Sequence, residues 1–207
     1  MKKTIKILLA TPLLLSILLS KNWTDTGKPN PSKPSWIIDN NSEDNIEISF
    51  ELNGYFTEQN FDGSSQITFP GGVPILQNGA PELPLMAHSI VIPDLAHMDL
   101  SILSSKYFEV YVENILPSKG NLTRNIDPKT IPYFYGEIYD LDAWYPEDIS
   151  FLREPYILRS LRGQTVVFQP FQYNPKSKIL RVYTNIKVGI RKNGYSQTNP
   201  LINKPSI

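Results

Sequence analysis

Residues 155–190 read PYILRSLRGQTVVFQPFQYNPKSKILRVYTNIKVGI, and the rest of the chain has to be arranged around them. Leu180, Val182, Thr184, Ile186, Val188 and Ile190 occupy every second position. A strand points alternate side chains to one face, so these six form a largely apolar stripe, with Arg181, Asn185, Lys187 and Arg191 on the wet face. Before them, residues 164–173 carry Thr165, Val166, Val167, Phe168, Phe171 and Tyr173, β-branched and aromatic side chains suited to a covered pleated surface. Between the two runs, Asn174-Pro175-Lys176-Ser177 has turn chemistry: Asn can bond its own backbone and Pro presets φ. The pattern predicts an antiparallel central hairpin, 164–173 against 180–190.

Outward from that hairpin the chain keeps its short extended rhythm. Ile46, Ile48, Phe50 and Leu52 alternate with polar residues up to Asn53-Gly54, a hairpin signal from which residues 55–69 would pair back. Pro70-Gly71-Gly72 closes that unit, and residues 85–93, 100–103 and 107–113 read as three further strands. Residues 118–133 have turn formers and no apolar period, so they are the long loop. Residues 134–139 return to strand in this reading, and Tyr145-Pro146 could start a single helical turn. Eighteen prolines, rarely inside the alternating runs, favour strands over helices. The expected fold is an all-β antiparallel sandwich, with little or no helix outside the N-terminal segment.

Twenty basic residues balance twenty acidic ones, which leaves no field to favour nucleic acid. The chain has no cysteine, and therefore no disulfide, thiolate metal site or cysteine nucleophile of its own. Residues 1–20 look like a signal peptide. Lys2, Lys3 and Lys6 precede an uncharged Leu/Ile-rich run too short to cross ~30 Å of hydrocarbon as a helix. The mature chain is then expected outside the cytoplasm, periplasmic or extracellular, with no stable membrane anchor and monomeric when alone. Residues 21–45 read as a disordered polar leader, 46–191 as the folded domain and 192–207 as a polar tail or linker.

The sequence holds little catalytic chemistry. His88 and His97 have no metal-ligand spacing around them, and neither GxSxG nor a phosphate-binding glycine loop is present. Asp140, Asp142, Glu147 and Asp148 could offer hard oxygen ligands to calcium, but without a DxDxDG-like loop they read as a solvated acidic segment. Tyr133, Tyr135, Tyr139, Trp144, Tyr145 and Tyr156 could line a sugar-binding face, or close the ends of the sheets. From the residues alone, no cofactor or catalytic group is expected, and an exported β-sandwich binding module for glycan or protein stays open.

Several landmarks stand in order: Gly79-x-Pro81-x-Leu83-Pro84, Val91-Ile92-Pro93, Pro117-Ser118-Lys119-Gly120 and Tyr145-Pro146. They continue with Pro155-Tyr156-x-x-Arg159-x-x-Arg162-Gly163, Pro170-x-x-Tyr173-Asn174-Pro175 and Leu180-x-Val182-Tyr183. The succession resembles the N-terminal propeptide of gingipain-like C25-family cysteine peptidases of Bacteroidetes-type bacteria. That resemblance implies a jelly-roll-like sandwich that chaperones its cognate peptidase domain, in cis or in trans, and blocks the active site until maturation. The family's catalytic His and Cys belong to the peptidase domain. The resemblance further implies an inhibitory loop that offers a basic side chain to the specificity pocket. Arg124, between Thr123 and Asn125, matches by position, with Lys119 as second candidate. Arg159 and Arg162 are expected to pair with carboxylates such as Glu154 or the 140–148 cluster, or to face the partner. Tyr173, Asn174 and Pro175 are expected to be structural or partner-facing.

Overall fold

The computed structural model describes residues 21–42, 44–60 and 62–202, so the expected signal peptide, 1–20, lies outside the described residues. Thirteen strands follow in chain order, starting with β1 (Lys21–Asp25), β2 (Ser35–Asn41), β3 (Asn45–Glu51), β4 (Gly54–Gln59), β5 (Ser65–Thr68) and β6 (Val73–Pro74). They continue with β7 (Pro84–Val91), β8 (Ala96–Tyr111), β9 (Ser150–Leu152), β10 (Tyr156–Leu158), β11 (Leu161–Phe168), β12 (Phe171–Asn174) and β13 (Ile179–Tyr195). Among the described residues the two helical segments are short 3-10 turns, at Pro128–Thr130 and Glu137–Asp140.

Two five-stranded antiparallel sheets face each other. One has the order β12-β13-β3-β2, with β8 along the other side of β13; the second has the order β10-β11-β7-β6, with β9 also on β11. The predicted stripe on β13 is the floor of the core: Leu180, Val182, Ile186, Val188 and Ile190 are each fully buried. Phe50 of β3 stacks on Phe168 of β11 with ring centroids 5.1 Å apart, and Trp36 of β2 meets both rings edge-on at 5.5 and 5.1 Å. These contacts make the all-β sandwich expected from the sequence. A third sheet, β1-β4-β5, closes one end, where Tyr55 and Phe69 pack on Phe171 at 5.4 and 6.1 Å.

The central hairpin is narrower than expected. Residues 164–173 form two strands, not one: β11 lies in one sheet and β12, which does pair with β13, lies in the other. The break falls at Gln169-Pro170. Pro170 has no N–H to continue a ladder, and the Gln169 side chain donates to the Asp148 carbonyl at 2.9 Å, so the chain crosses between sheets there. Asn53-Gly54 makes the same kind of corner and not a hairpin, because β3 pairs with β13 and β2 while β4 pairs with β1 and β5. Gly54 sits at φ +151°, and a Cβ there would come within 2.2 Å of the Trp23 ring.

Other expectations also need correcting. Residues 100–103 and 107–113 fall largely within one strand, β8, whose register with β13 shifts at three places. Bulges absorb the twist of so long a pair and blur its alternation in sequence. Residues 134–139 end in a 3-10 turn, not a strand; Tyr145 exchanges two backbone hydrogen bonds with Tyr173 of β12, at 2.9 and 2.7 Å, the Tyr145-Pro146 peptide is cis, and no helix starts there. The leader expected to be disordered, 21–45, contains β1 and β2. Trp23 packs on Phe56 at 4.9 Å and Trp36 enters the core, so two indoles supply the apolar surface that the polar composition concealed. The tail after residue 191 continues in β13 to Tyr195 and then bonds back to the domain: Ser196 N–H donates to Leu95 O and Leu201 N–H to Asp94 O, both at 2.9 Å.

Tyr173 is 1% exposed, and its hydroxyl reaches Val112 O and Glu113 O at 3.2 and 3.3 Å. Burial pushes its pKa up to about 12, and burial does the same for Tyr145. The folded state thus favours the neutral phenols. Their contribution to stability is full below the ordinary tyrosine pKa of about 10 and is lost as pH rises from there towards the folded value. An alkaline titration should show a late group of tyrosines whose phenolate absorbance appears together with loss of the β-sheet circular dichroism. Ionisation of all tyrosines near the ordinary value with the fold intact would contradict this.

Candidate functional site

The loop at residues 118–133 is held at its two ends by one short stretch of chain. On the entering side, Ser118 N–H donates to Ala80 O at 2.8 Å and Gly79 N–H to Ser118 O at 2.9 Å. On the leaving side, Gly136 N–H donates to Gly79 O at 2.9 Å. Both glycines are required by this closure. Gly79 sits at φ +77°, a Cβ on it would come 2.9 Å from the Phe134 ring, and a Cβ on Gly136 would come 2.9 Å from Gly79 O. The loop therefore leaves a fixed base beside β7.

Inside the loop the bonds are local. Ile126 N–H donates to Thr123 O at 3.0 Å, which closes a turn with Arg124 and Asn125 at its two central positions. The Thr123 hydroxyl donates to Asn125 Oδ1 at 2.5 Å across the same turn. Asp127 then caps the 3-10 turn by accepting Lys129 N–H at 2.9 Å. Arg124 is exposed and makes no hydrogen bond or ion pair among the described residues. Lys119, the second candidate, is placed differently. Its ammonium donates to Pro128 O at 2.7 Å and lies 4.0 Å from the centre of the Tyr133 ring, bracing the loop from within. Beneath, Glu82 is half-buried. Burial pushes its carboxyl up, offset in part by the Gln66 amide and the charge of Lys119.

The other candidate residues are not gathered at this loop. Arg162 forms no pair with Glu154 or with the acidic cluster. It is fully buried, and its guanidinium donates to four carbonyls: Asn199 from Nε at 2.8 Å, Pro93 and Ala96 from one terminal nitrogen at 3.0 and 2.6 Å, and Thr198 from the other at 3.1 Å. Burial lowers its pKa, countered by the charge of Asp94. Arg162 thus fastens the segment after β13 to the turn between β7 and β8. A planar fork with five N–H groups suits several carbonyls as well as it suits a carboxylate, which the sequence alone could not reveal. Arg159 also lacks the expected carboxylate. It occupies the two-residue turn between β10 and β11 at φ +56°, exposed to solvent.

Tyr173, Asn174 and Pro175 are buried. Asn174 Oδ1 accepts Lys176 N–H and Ser177 N–H at 3.0 and 3.1 Å, and its amide donates to Asp142 Oδ1 at 2.8 Å. The acidic segment is thereby tied down by hydrogen bonding, and among the described residues no group of three or more potential ligands could hold a metal ion. The aromatics that could have lined a sugar-binding face are engaged separately. Trp144 covers the Arg181 guanidinium at 3.9 Å, the Tyr139 hydroxyl donates to Ile115 O at 2.7 Å, and the Tyr145 hydroxyl reaches Gln77 at 3.2 Å. The loop base at Gly79 and Gly136 was missed in sequence. Gly79-x-Pro81 was its only local sign, because the partners meet across more than fifty residues of chain.

The Propeptide_C25 family model matches residues 30–204. Gingipain R1 of Porphyromonas gingivalis is 36% identical over 207 residues, covering 99% of this chain and 12% of that protein. Gingipain R2 of the same organism is 40% identical over 158 residues, covering 75% of this chain and 22% of that protein. The chain thus spans less than a quarter of the length of these relatives. Among solved structures, the complex of Porphyromonas gingivalis RgpB pro- and mature domains superposes with a TM-score of 0.73 at 34% identity, over 79% of this chain and 88% of that chain. A structure addressing the zymogenic latency of gingipain K from the same organism gives a TM-score of 0.70 at 19% identity, over 84% of this chain and all of that one, a likeness of fold. Sequence order, fold and family model agree, and the chain belongs to the C25 propeptide family.

Proposed function

We propose that this domain is the inhibitory and chaperoning prodomain of an exported gingipain-like cysteine peptidase, acting in cis or in trans. In this reading residues 1–20 direct export, and the sandwich presents Arg124 to the peptidase's specificity pocket. The observation that carries the proposal is the Thr123–Ile126 turn, which holds an unpaired, exposed guanidinium at the corner of a loop braced at its base and within. A guanidinium is always charged and can bond a pocket carboxylate through two parallel N–H groups. Because the backbone of the turn is already ordered, docking has mainly the freedom of the Arg124 side chain left to fix. One solved relative is a complex of RgpB pro- and mature domains, which supports the same assignment. With no cysteine of its own, the chain supplies no cysteine nucleophile.

The test is the inhibition constant against a peptidase of this family for wild type, Arg124→Ala, Arg124→Lys and Lys119→Ala, each checked for native unfolding temperature. Truncating one member of a buried interfacial charge pair costs ~2–5 kcal/mol, so Arg124→Ala should weaken inhibition roughly 30-fold or more with the fold intact. Arg124→Lys should retain part of it, because the charge stays and the fork is lost. Lys119→Ala should act more mildly, by loosening the turn. Equal constants for wild type and Arg124→Ala would remove Arg124 from the mechanism, and a loss confined to Lys119→Ala would transfer the role there.

A further inference from the structure

The same loop carries an unusual amount of uncovered apolar surface. Ile126 is 37% exposed, Tyr133 47%, Phe134 61% and Tyr135 41%, three of them consecutive aromatics on a segment without strand or helix. Such rings gain little from this placement in the free domain, because an aromatic side chain stabilises a fold mainly through the area it buries. They are nevertheless held in place. Phe134 is seated against Gly79, Tyr135 meets Tyr139 edge-on at 4.8 Å, and Tyr133 lies under the Lys119 ammonium. Lys119 also binds Pro128 O, which ties this aromatic run to the arm of the loop that bears Arg124.

We infer that Ile126, Tyr133, Phe134 and Tyr135 form an apolar shoulder that docks on the rim of the peptidase's specificity pocket and supplies affinity separate from that of Arg124. The inference rests on the inhibitory reading of the loop. A body that admits Arg124 into a pocket must approach this rigid loop, and the shoulder is the adjoining surface on the same loop. Aromatic side chains that are ordered before binding are the type that dominates protein interfaces, because their burial is large and their ordering cost is small. A glycan platform fits less well, because one face of Tyr133 is already occupied by a lysine.

A double-mutant cycle decides the matter. Wild type, Arg124→Ala, Phe134→Ala and the double variant are measured by titration calorimetry against a C25 peptidase domain inactivated by substitution of its catalytic cysteine. Tyr135→Ser is measured beside them, with the unfolding temperature and the amide exchange of Gly136 as controls for the loop base. Phe134→Ala should weaken binding at least ten-fold in both the wild-type and the Arg124→Ala backgrounds, and Tyr135→Ser should weaken it in the same direction. Wild-type affinity in both Phe134→Ala and Tyr135→Ser overturns the shoulder and leaves the Arg124 reading standing. A loss in Phe134→Ala with none in Arg124→Ala keeps the shoulder and removes the arginine. Absence of binding by the wild type overturns both. If Phe134→Ala unprotects Gly136, Tyr135→Ser alone decides, and its wild-type affinity overturns the inference.

Discussion

Ile186→Asp is expected to leave little or no folded protein at ambient temperature. Ile186 is fully buried in β13, paired across to Phe50 of β3 on one side and Ser105 of β8 on the other. Burying a polar group without a partner costs several kcal/mol, and the substitution also forfeits about 2 kcal/mol of isoleucine burial. A domain of this size is stable by only about 5–15 kcal/mol, so the sum is comparable with the whole. Ile186→Val, which keeps the apolar face, should cost only about 1 kcal/mol. Thermal and denaturant unfolding followed by circular dichroism reads both variants. A cooperative melt in Ile186→Asp at the wild-type temperature would mean that β13 presents its other face to the core.

Arg162→Met should give the second large loss. Methionine can occupy much of the same space but offers no donor, so the carbonyls of Pro93, Ala96, Thr198 and Asn199 all lose their shared partner. Hydrogen bonds to charged groups contribute about 1.5–3 kcal/mol each and are not additive in a shared cluster. A loss of about 3–5 kcal/mol is therefore the expected scale. The damage has an address as well as a size. The amides of Ser196 and Leu201, bonded to Leu95 and Asp94, should lose their protection from hydrogen exchange before the β13 amides do. Arg162→Lys should fall between, because a single ammonium has three donors and no planar fork. An unchanged melting point together with full protection at residues 196 and 201 would show that the tail is held by something else.

The class of fold was readable because one periodicity dominates. The β13 stripe, the β3 alternation and the proline spacing all state extended, half-buried chain, and no competing signal contradicts them. What was hidden is pairing across distance. Gln169-Pro170 and Asn53-Gly54 look locally like an interruption and a hairpin, and only the identity of the facing sheets shows that both are corners. The leader's composition is polar on average, whereas its fold depends on Trp23 and Trp36, two side chains that an average dilutes. Arg162 was noticed for its charge and expected beside opposite charge, yet its partners are backbone carbonyls, which no residue-type pattern can display. The candidacy of Arg124 comes from its place in a recognised order of landmarks. The brace beneath it, Lys119 to Pro128, joins a side chain to a backbone atom and leaves no trace in sequence.

β13 pairs along its length with β8 on one side and with β12 and β3 on the other, so the strand formed near one end of the chain is the seam that closes segments from the other end. Until it is in place, β3 and β8 have no strand between them and the core lacks its floor. Long loops must therefore be closed before these contacts stabilise anything, which makes closure late and nearly all-or-none. A nascent chain ending short of β13 should have no stable half-domain to fall into. For the export proposed above, with the chain crossing a membrane as an open thread, that topology would postpone folding until almost all of the sandwich has emerged on the far side.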